Sequence, residues 1–279
     1  MPELPEVETV CRGLNQLTRH SLIQGGEVLL ERTLAYPGSV SAFLAGVTGK
    51  SIAAWHRRGK YLLAQLSPGG WLGVHLRMTG QLAWVEPEHP LSKHTRLRLF
   101  LETGELRFVD IRTFGKVWYV PPEQDVEAII TGLQGLGVEP LSEEFTVDYL
   151  GAKLGKTRRV LKTALLDQAV VAGLGNIYAD EALFASQLPP DQIAMNLSSA
   201  EIKRLHGAII AVLEQAIGKG GTTFSDFLDL LGVPGNYGDA ATVYGRTGQP
   251  CRVCGTAIQR RKIAGRSAHF CPQCQISNQ

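Results

Sequence analysis

Cys251-Arg252-Val253-Cys254 and Cys271-Pro272-Gln273-Cys274 stand sixteen residues apart near the end of the 279-residue chain. Each Cys-x-x-Cys pair turns tightly enough to aim two thiolates at one ion, and two such pairs complete a tetrahedron. Four sulfur ligands leave no open coordination position, so the expected ion is one structural Zn2+. A segment this short cannot bury a stable core, so metal binding would supply its folding free energy. Between the pairs, Arg260 to Phe270 alternates polar and apolar residues around Ala264-Gly265. That pattern predicts a β-hairpin with Arg266 at its tip, where a guanidinium either forks two donors onto a phosphate or sits solvated.

The charge around this segment is uneven. Residues 240–279 hold six basic side chains (Arg246, Arg252, Arg260, Arg261, Lys262, Arg266) and no acidic one, which leaves the other 239 residues at net −4. A basic tail on an acidic body fits a polyanionic partner, nucleic acid first, or a merely solubilising tail. No apolar run reaches the ~18 residues of a membrane helix. The start, MPELPEVETVCRGL, has no basic region of the signal-peptide kind. A cytoplasmic protein is expected, with its cysteines reduced or metal-bound. Cys11, outside the four-cysteine set, reads as a buried structural thiol.

The rest of the chain, 44% hydrophobic and 19% charged, is long enough for two domains. Residues 1–17 read as a helix, with Val7, Val10, Leu14 and Leu17 at three- and four-residue steps behind Pro2, Glu3, Pro5 and Glu6. From about Val28 to Val120 the pattern is of strands, with hairpin turns at Ser67-Pro68-Gly69-Gly70 and Glu102-Thr103-Gly104-Glu105. An antiparallel β-sandwich capped by the first helix accounts for this part. Gly132 to Gly137 and Pro140 form a hinge. Helices follow over Ser142–Leu154 and Thr157–Asp167, from near Asn176, and after the capping box Ser198-Ser199-Ala200-Glu201.

The N-terminus also carries a chemical reading. Loss of Met1 would leave Pro2 with a free secondary amine, whose pKa near 8 keeps part of it neutral at neutral pH. Such an amine can attack an electrophilic carbon and form an iminium, and Glu3 and Glu6 could exchange protons beside it. The alternative is a plain helix start, because prolines and carboxylates suit that position structurally as well.

MPELPEVETV at the start, with CRVCG and AGRSAHFCPQCQ at the end, closely resembles the formamidopyrimidine-DNA glycosylase family. Arg58-Gly59-Lys60-Tyr61-Leu62, His75 to Gly80, Asp110 to Gly115, Gly173 to Ala179, Gly220 to Thr223 and Val243 to Arg246 agree with it in order along the chain. The resemblance implies an α+β multidomain protein. Its parts would be a helix-capped antiparallel β-sandwich (1–130), a hinge (131–141), a helix–two-turn–helix domain (142–240) and a four-cysteine zinc-finger β-hairpin (241–279), with DNA crossing between them. It implies excision of oxidised purines, 8-oxoguanine and formamidopyrimidines, from double-stranded DNA by a monomeric, nucleoid-associated repair enzyme, with lyase cleavage by β,δ-elimination.

Residue by residue, the resemblance makes Pro2 the nucleophile and Glu3 the general acid. Lys60, otherwise a surface lysine by its position, becomes the lysine of β-elimination and phosphate contact. Arg266 becomes the finger arginine that clamps a phosphate and serves the δ-step. Asn176, His94 and Arg158 match DNA-contact positions, although Arg158 stands where the family pattern has lysine. Met78, Arg112 and Phe114 match the three side chains that fill the space of an extruded nucleotide. Their residue types alone would put Met78 and Phe114 in a core. Arg77 replaces a glycine found in some members. The loop after Thr223 is the family's lesion-recognition loop. Two rival readings are an endonuclease VIII-like glycosylase for oxidised pyrimidines and a non-catalytic zinc-finger DNA-binding protein. The Pro-Glu-Leu-Pro start and the Met78/Arg112/Phe114 set speak against the first, and Pro2, Glu3 and Lys60 against the second.

Overall fold

The computed structural model describes residues 1–223 and 227–276. Helix α1 (Leu4–Thr18) starts where the prolines and glutamates predict. Glu3 is its N-cap, and the Glu6 carboxylate reaches back to the Glu3 amide at 2.8 Å in a capping box. Val7, Val10 and Leu14 on one face of α1 are buried, each contributing about 1.5–3 kcal/mol of apolar burial.

Nine strands follow: β1 (Ile23–Val28), β2 (Leu34–Tyr36), β3 (Ser51–Arg58), β4 (Tyr61–Ser67), β5 (Trp71–His75), β6 (Gly80–Val85), β7 (Thr95–Leu101), β8 (Gly104–Asp110) and β9 (Lys116–Val120). They form a five-stranded sheet, β2-β9-β5-β4-β3, and a four-stranded sheet, β1-β7-β8-β6. All pairings are antiparallel except β2 with β9. Trp55, Leu62, Leu72 and Val74 from the first sheet share one core with Leu82, Leu97, Leu99 and Phe108 from the second and with the apolar face of α1. This is the helix-capped sandwich. The strand run is interrupted by a 3-10 turn at Glu31–Thr33 and by α2 (Val40–Val47). Ser39 caps α2 by accepting from the Ala42 amide, and Phe43 and Val47, four residues apart, turn inward.

A short α3 (Val126–Ile129) precedes the glycine-rich stretch. Helices α4 (Val147–Leu154), α5 (Leu161–Leu165), α6 (Asn176–Ala185) and α7 (Ser199–Gly218) then appear. The first of these begins later than its apolar pattern, because the Thr146 hydroxyl caps it by accepting from the Tyr149 amide at 3.1 Å. Strands β10 (Gln259–Ile263) and β11 (Arg266–Phe270) form the predicted hairpin. Its turn, Ala264-Gly265, has both φ values positive, at 46° and 82°, the arrangement that matches the twist of two-residue hairpins.

Two compact units result. One comprises residues 1–134 with 219–236, and the other residues 135–218 with 237–279. No helix among the described residues is long and apolar enough to cross a membrane.

Candidate active site and metal centre

In the first unit, Pro2 and Glu3 are buried while Met1 is 42% exposed. The Glu6 carboxylate ties this terminus down. One oxygen takes the Glu3 amide, and the other takes the Thr222 amide at 2.8 Å. Gly221 adopts φ +80°, and a Cβ there would lie 2.8 Å from Glu6 Oε1, so only glycine admits this close approach.

Lys60 sits in the two-residue turn between β3 and β4, beside Gly59 at φ +55°, and is buried rather than surface-exposed. Its charge is felt at His75, the last residue of β5. Burial first, then Arg77 and Lys60, lower the His75 pKa to about 3. His75 is therefore a neutral imidazole whose Nδ1 accepts from the Arg77 amide at 3.0 Å.

This depressed pKa has a measurable consequence. Between about pH 3 and 6.5 the unfolded chain binds a proton at His75 that the folded chain refuses, so stability is full above pH 6.5 and falls with acidification. Between pH 7 and 5 the wild type is expected to lose about 2 kcal/mol more than His75→Gln. Urea titrations followed by tryptophan fluorescence read this difference, and equal losses in the two proteins would contradict it.

Met78, Arg112 and Phe114 do not belong to the core. Met78 is 38% and Phe114 50% exposed, and the Arg112 guanidinium lies 4.9 Å above the Phe114 ring centroid. His94 is half-buried, with Nδ1 3.2 Å from the Arg96 guanidinium.

In the second unit, Asn176 opens α6. Its Oδ1 is buried with no partner among the described residues, and its carbonyl accepts from Lys162 Nζ at 2.9 Å. Arg158 is exposed, and so is Arg266, at the first position of β11.

Cys251, Cys254, Cys271 and Cys274 converge, their sulfurs lying within 4.8 Å of one another. The pairs Cys251–Cys274 and Cys254–Cys271 stand 3.9 and 3.5 Å apart, close to the roughly 3.8 Å edge of a tetrahedron with Zn–S bonds near 2.3 Å. Hydrogen bonds from the Thr256 side chain and backbone bring the Cys254 thiol down to about 6, whereas burial and neighbouring sulfurs push Cys274 up. A dication at the centre resolves that conflict by stabilising every thiolate, so the donor set fits zinc. Cys11 is different: burial, with Glu8 next, raises it to about 12, so it is an inert thiol.

Three family models match in order along the chain: the formamidopyrimidine-DNA glycosylase N-terminal domain at residues 1–117, the H2TH domain of the same enzyme at 136–227, and the zinc finger found in FPG and IleRS at 248–276. The chain belongs to the formamidopyrimidine-DNA glycosylase family. The family's protein from Rippkaea orientalis is 62% identical, covering 99% of this chain and 100% of that protein. The one from Trichodesmium erythraeum is 59% identical with the same coverage. Among solved structures, a Lactococcus lactis FPG mutant in complex with a Fapy-dG containing DNA superposes at TM-score 0.92, with 36% identity over 99% of this chain and 100% of that one. The MutM (FPG) protein from Thermus thermophilus gives 0.88, with 40% identity and 98% coverage of both chains.

As in other glycosylases of this family, the fold combines the N-terminal domain, the H2TH domain and a four-cysteine zinc finger. Sequence reasoning did not single out the buried carboxylates that organise it. On α6, the Asp180 carboxylate accepts from Lys162 at 2.5 Å and from the His269 amide at 2.9 Å. The adjacent Glu181 accepts from the amides of Thr242, Val243 and Tyr244. The adjacent pair Asp180-Glu181 on a helix is the one signal that could have found them. Of the loop after Thr223, to which the resemblance assigns lesion recognition, residues 224–226 lie outside the described residues.

Proposed function

We propose that the chain excises oxidised purines, 8-oxoguanine and formamidopyrimidines, from duplex DNA and then cleaves the strand as an abasic-site lyase, acting as a monomer. The full-length match to formamidopyrimidine-DNA glycosylases, with Pro2 and Glu3 at their places in MPELPE, carries this reading. After Met1 is removed, the Pro2 nitrogen attacks C1′ and the glycosidic bond breaks, so the damaged base leaves with the bonding electrons and a proton. The C1′–O4′ bond then opens, O4′ taking up a proton, and the resulting iminium draws electrons from C2′, whose proton is removed as the 3′-phosphate departs. A second elimination releases the 5′-phosphate.

Glu3, buried at the helix start, supplies the proton for sugar opening. Lys60 and Arg266 hold phosphates, with Arg266 acting as a fixed cation rather than a proton donor. Asn176 at the N-terminus of α6, with His94 and Arg158, grips the backbone near the lesion. Met78, Arg112 and Phe114 fill the space of the flipped nucleotide. Their exposure supports this, since an apolar side chain left in water is available to replace lost base stacking. One zinc per chain, held by the four cysteines, orders the finger hairpin that presents Arg266.

Two duplexes test the reading, one with 8-oxoguanine opposite cytosine and one with an oxidised pyrimidine at the same position. Chromatography of the released base and gel analysis of the cut strand should show 8-oxoguanine leaving first and a gap bounded by phosphates. Faster pyrimidine release would favour an endonuclease VIII-like enzyme, and tight binding without release would indicate a non-catalytic DNA-binding protein.

A further inference from the structure

Met78 lies on the loop between β5 and β6, whereas Arg112 and Phe114 lie on the loop between β8 and β9. Strands β6 and β8 pair with Gly80 opposite Asp110, so both loops leave the sheet side by side. At that junction the Asp110 carboxylate is completely buried. Its Oδ1 accepts from the Thr79 hydroxyl at 2.6 Å and the Arg112 amide at 3.1 Å, and its Oδ2 accepts from the Gly115 amide at 2.8 Å. The Thr79 hydroxyl oxygen in turn accepts from the Arg112 amide at 3.1 Å. The Asp110 amide donates to the His94 carbonyl at 2.9 Å. One residue thus joins the segments that carry Met78, His94, Arg112 and Phe114.

The backbone of both loops needs such a tie. Arg77 and Thr113 adopt left-handed φ values of 56° and 58°, which a β-branched threonine seldom does unless its surroundings impose it. At Gly115 a Cβ would run into the Phe108 ring and come within 3.1 Å of Asp110 Oδ2. The loop therefore closes tightly over the carboxylate.

We infer that Asp110, acting with Thr79, is a positioning residue that locks the two loops into one preformed wedge. This rests on the void-filling role proposed above for Met78, Arg112 and Phe114. A wedge held ready spends no binding energy on ordering itself while the duplex is being opened. Neither Asp110 nor Thr79 needs to touch the DNA for this.

Asp110→Asn tests the lock, because either amide orientation turns an N–H towards the backbone donors of Gly115 or Arg112. Thr79→Val is the milder second variant, and Thr79→Ser keeps the hydroxyl. Single-turnover release of 8-oxoguanine is measured from two duplexes, one with cytosine opposite the lesion and one with a tetrahydrofuran abasic analogue there. The second has no opposite base to hold apart, so it needs the wedge least. Asp110→Asn and Thr79→Val should lower the rate roughly tenfold or more on the paired duplex and less than about twofold on the other. Thr79→Ser should restore the paired rate. Equal losses on both duplexes would make Asp110 merely structural, and no loss would also overturn the inference. A wild type that releases no base from either duplex would instead overturn the glycosylase reading on which it rests.

Discussion

Retention of Met1 is expected to abolish base release and strand cleavage together, a loss of at least about a thousandfold. A proline nitrogen inside a peptide bond has neither a proton nor a usable lone pair, so a chain made with an uncleaved extension ahead of Pro2 has no nucleophile. The change is confined to the terminus, and the capping interactions of Glu3 and Glu6 do not depend on it. Folding should therefore be intact, as unchanged tryptophan emission would show. Glu3→Gln separates the steps. It should lower excision of 8-oxoguanine by roughly 10²–10⁴ yet leave cleavage of a pre-formed abasic site within about threefold, because the aldehyde form of that site is already ring-opened and needs no proton from Glu3. Equal loss of both activities in Glu3→Gln would remove its separate acid role, and full activity with Met1 retained would remove Pro2.

The second large effect concerns the metal. The zinc-finger segment has a small apolar cluster to fold around: Phe184, Val243, Ile258, Cys251 and Cys271, with Cys274 packed against them. A Cys251→Ser/Cys254→Ser variant should contain no zinc by elemental analysis and lose DNA affinity by about a hundredfold or more. All four tryptophans, at 55, 71, 84 and 118, lie in the first unit. Their emission and urea midpoint should hold while DNA binding fails. Full affinity in the zinc-free variant would contradict the assigned role of the finger.

Features written in neighbouring residues were legible without a structure. Two Cys-x-x-Cys pairs announce a tetrahedral site because thiolate geometry is set locally. Alternating polar and apolar residues around Ala264-Gly265 announce a hairpin because side chains along a strand point to opposite faces in turn. Pro2 to Glu6 announce a helix start for the same local reason. The Thr222 amide bonds to Glu6 across 216 residues of sequence, and no local pattern signals that residues 219–236 return to the first unit. The same holds for Asp110 and His75. An aspartate at a strand end is ordinary until its three donors are seen, and a histidine reveals nothing of the burial that keeps it neutral. The assignment of Lys60 came from resemblance, and its place in a buried turn beside His75 gives that assignment a physical setting.

The most direct measurement is the site of covalent attachment. Wild-type protein is incubated with a duplex carrying 8-oxoguanine opposite cytosine in the presence of borohydride, digested, and the cross-linked peptide is sequenced by mass spectrometry. Reduction of the iminium fixes the amine to C1′, and the account predicts one adduct, on the nitrogen of Pro2 in a peptide lacking Met1. An adduct on Lys60, or base release with no trappable adduct at all, would contradict it.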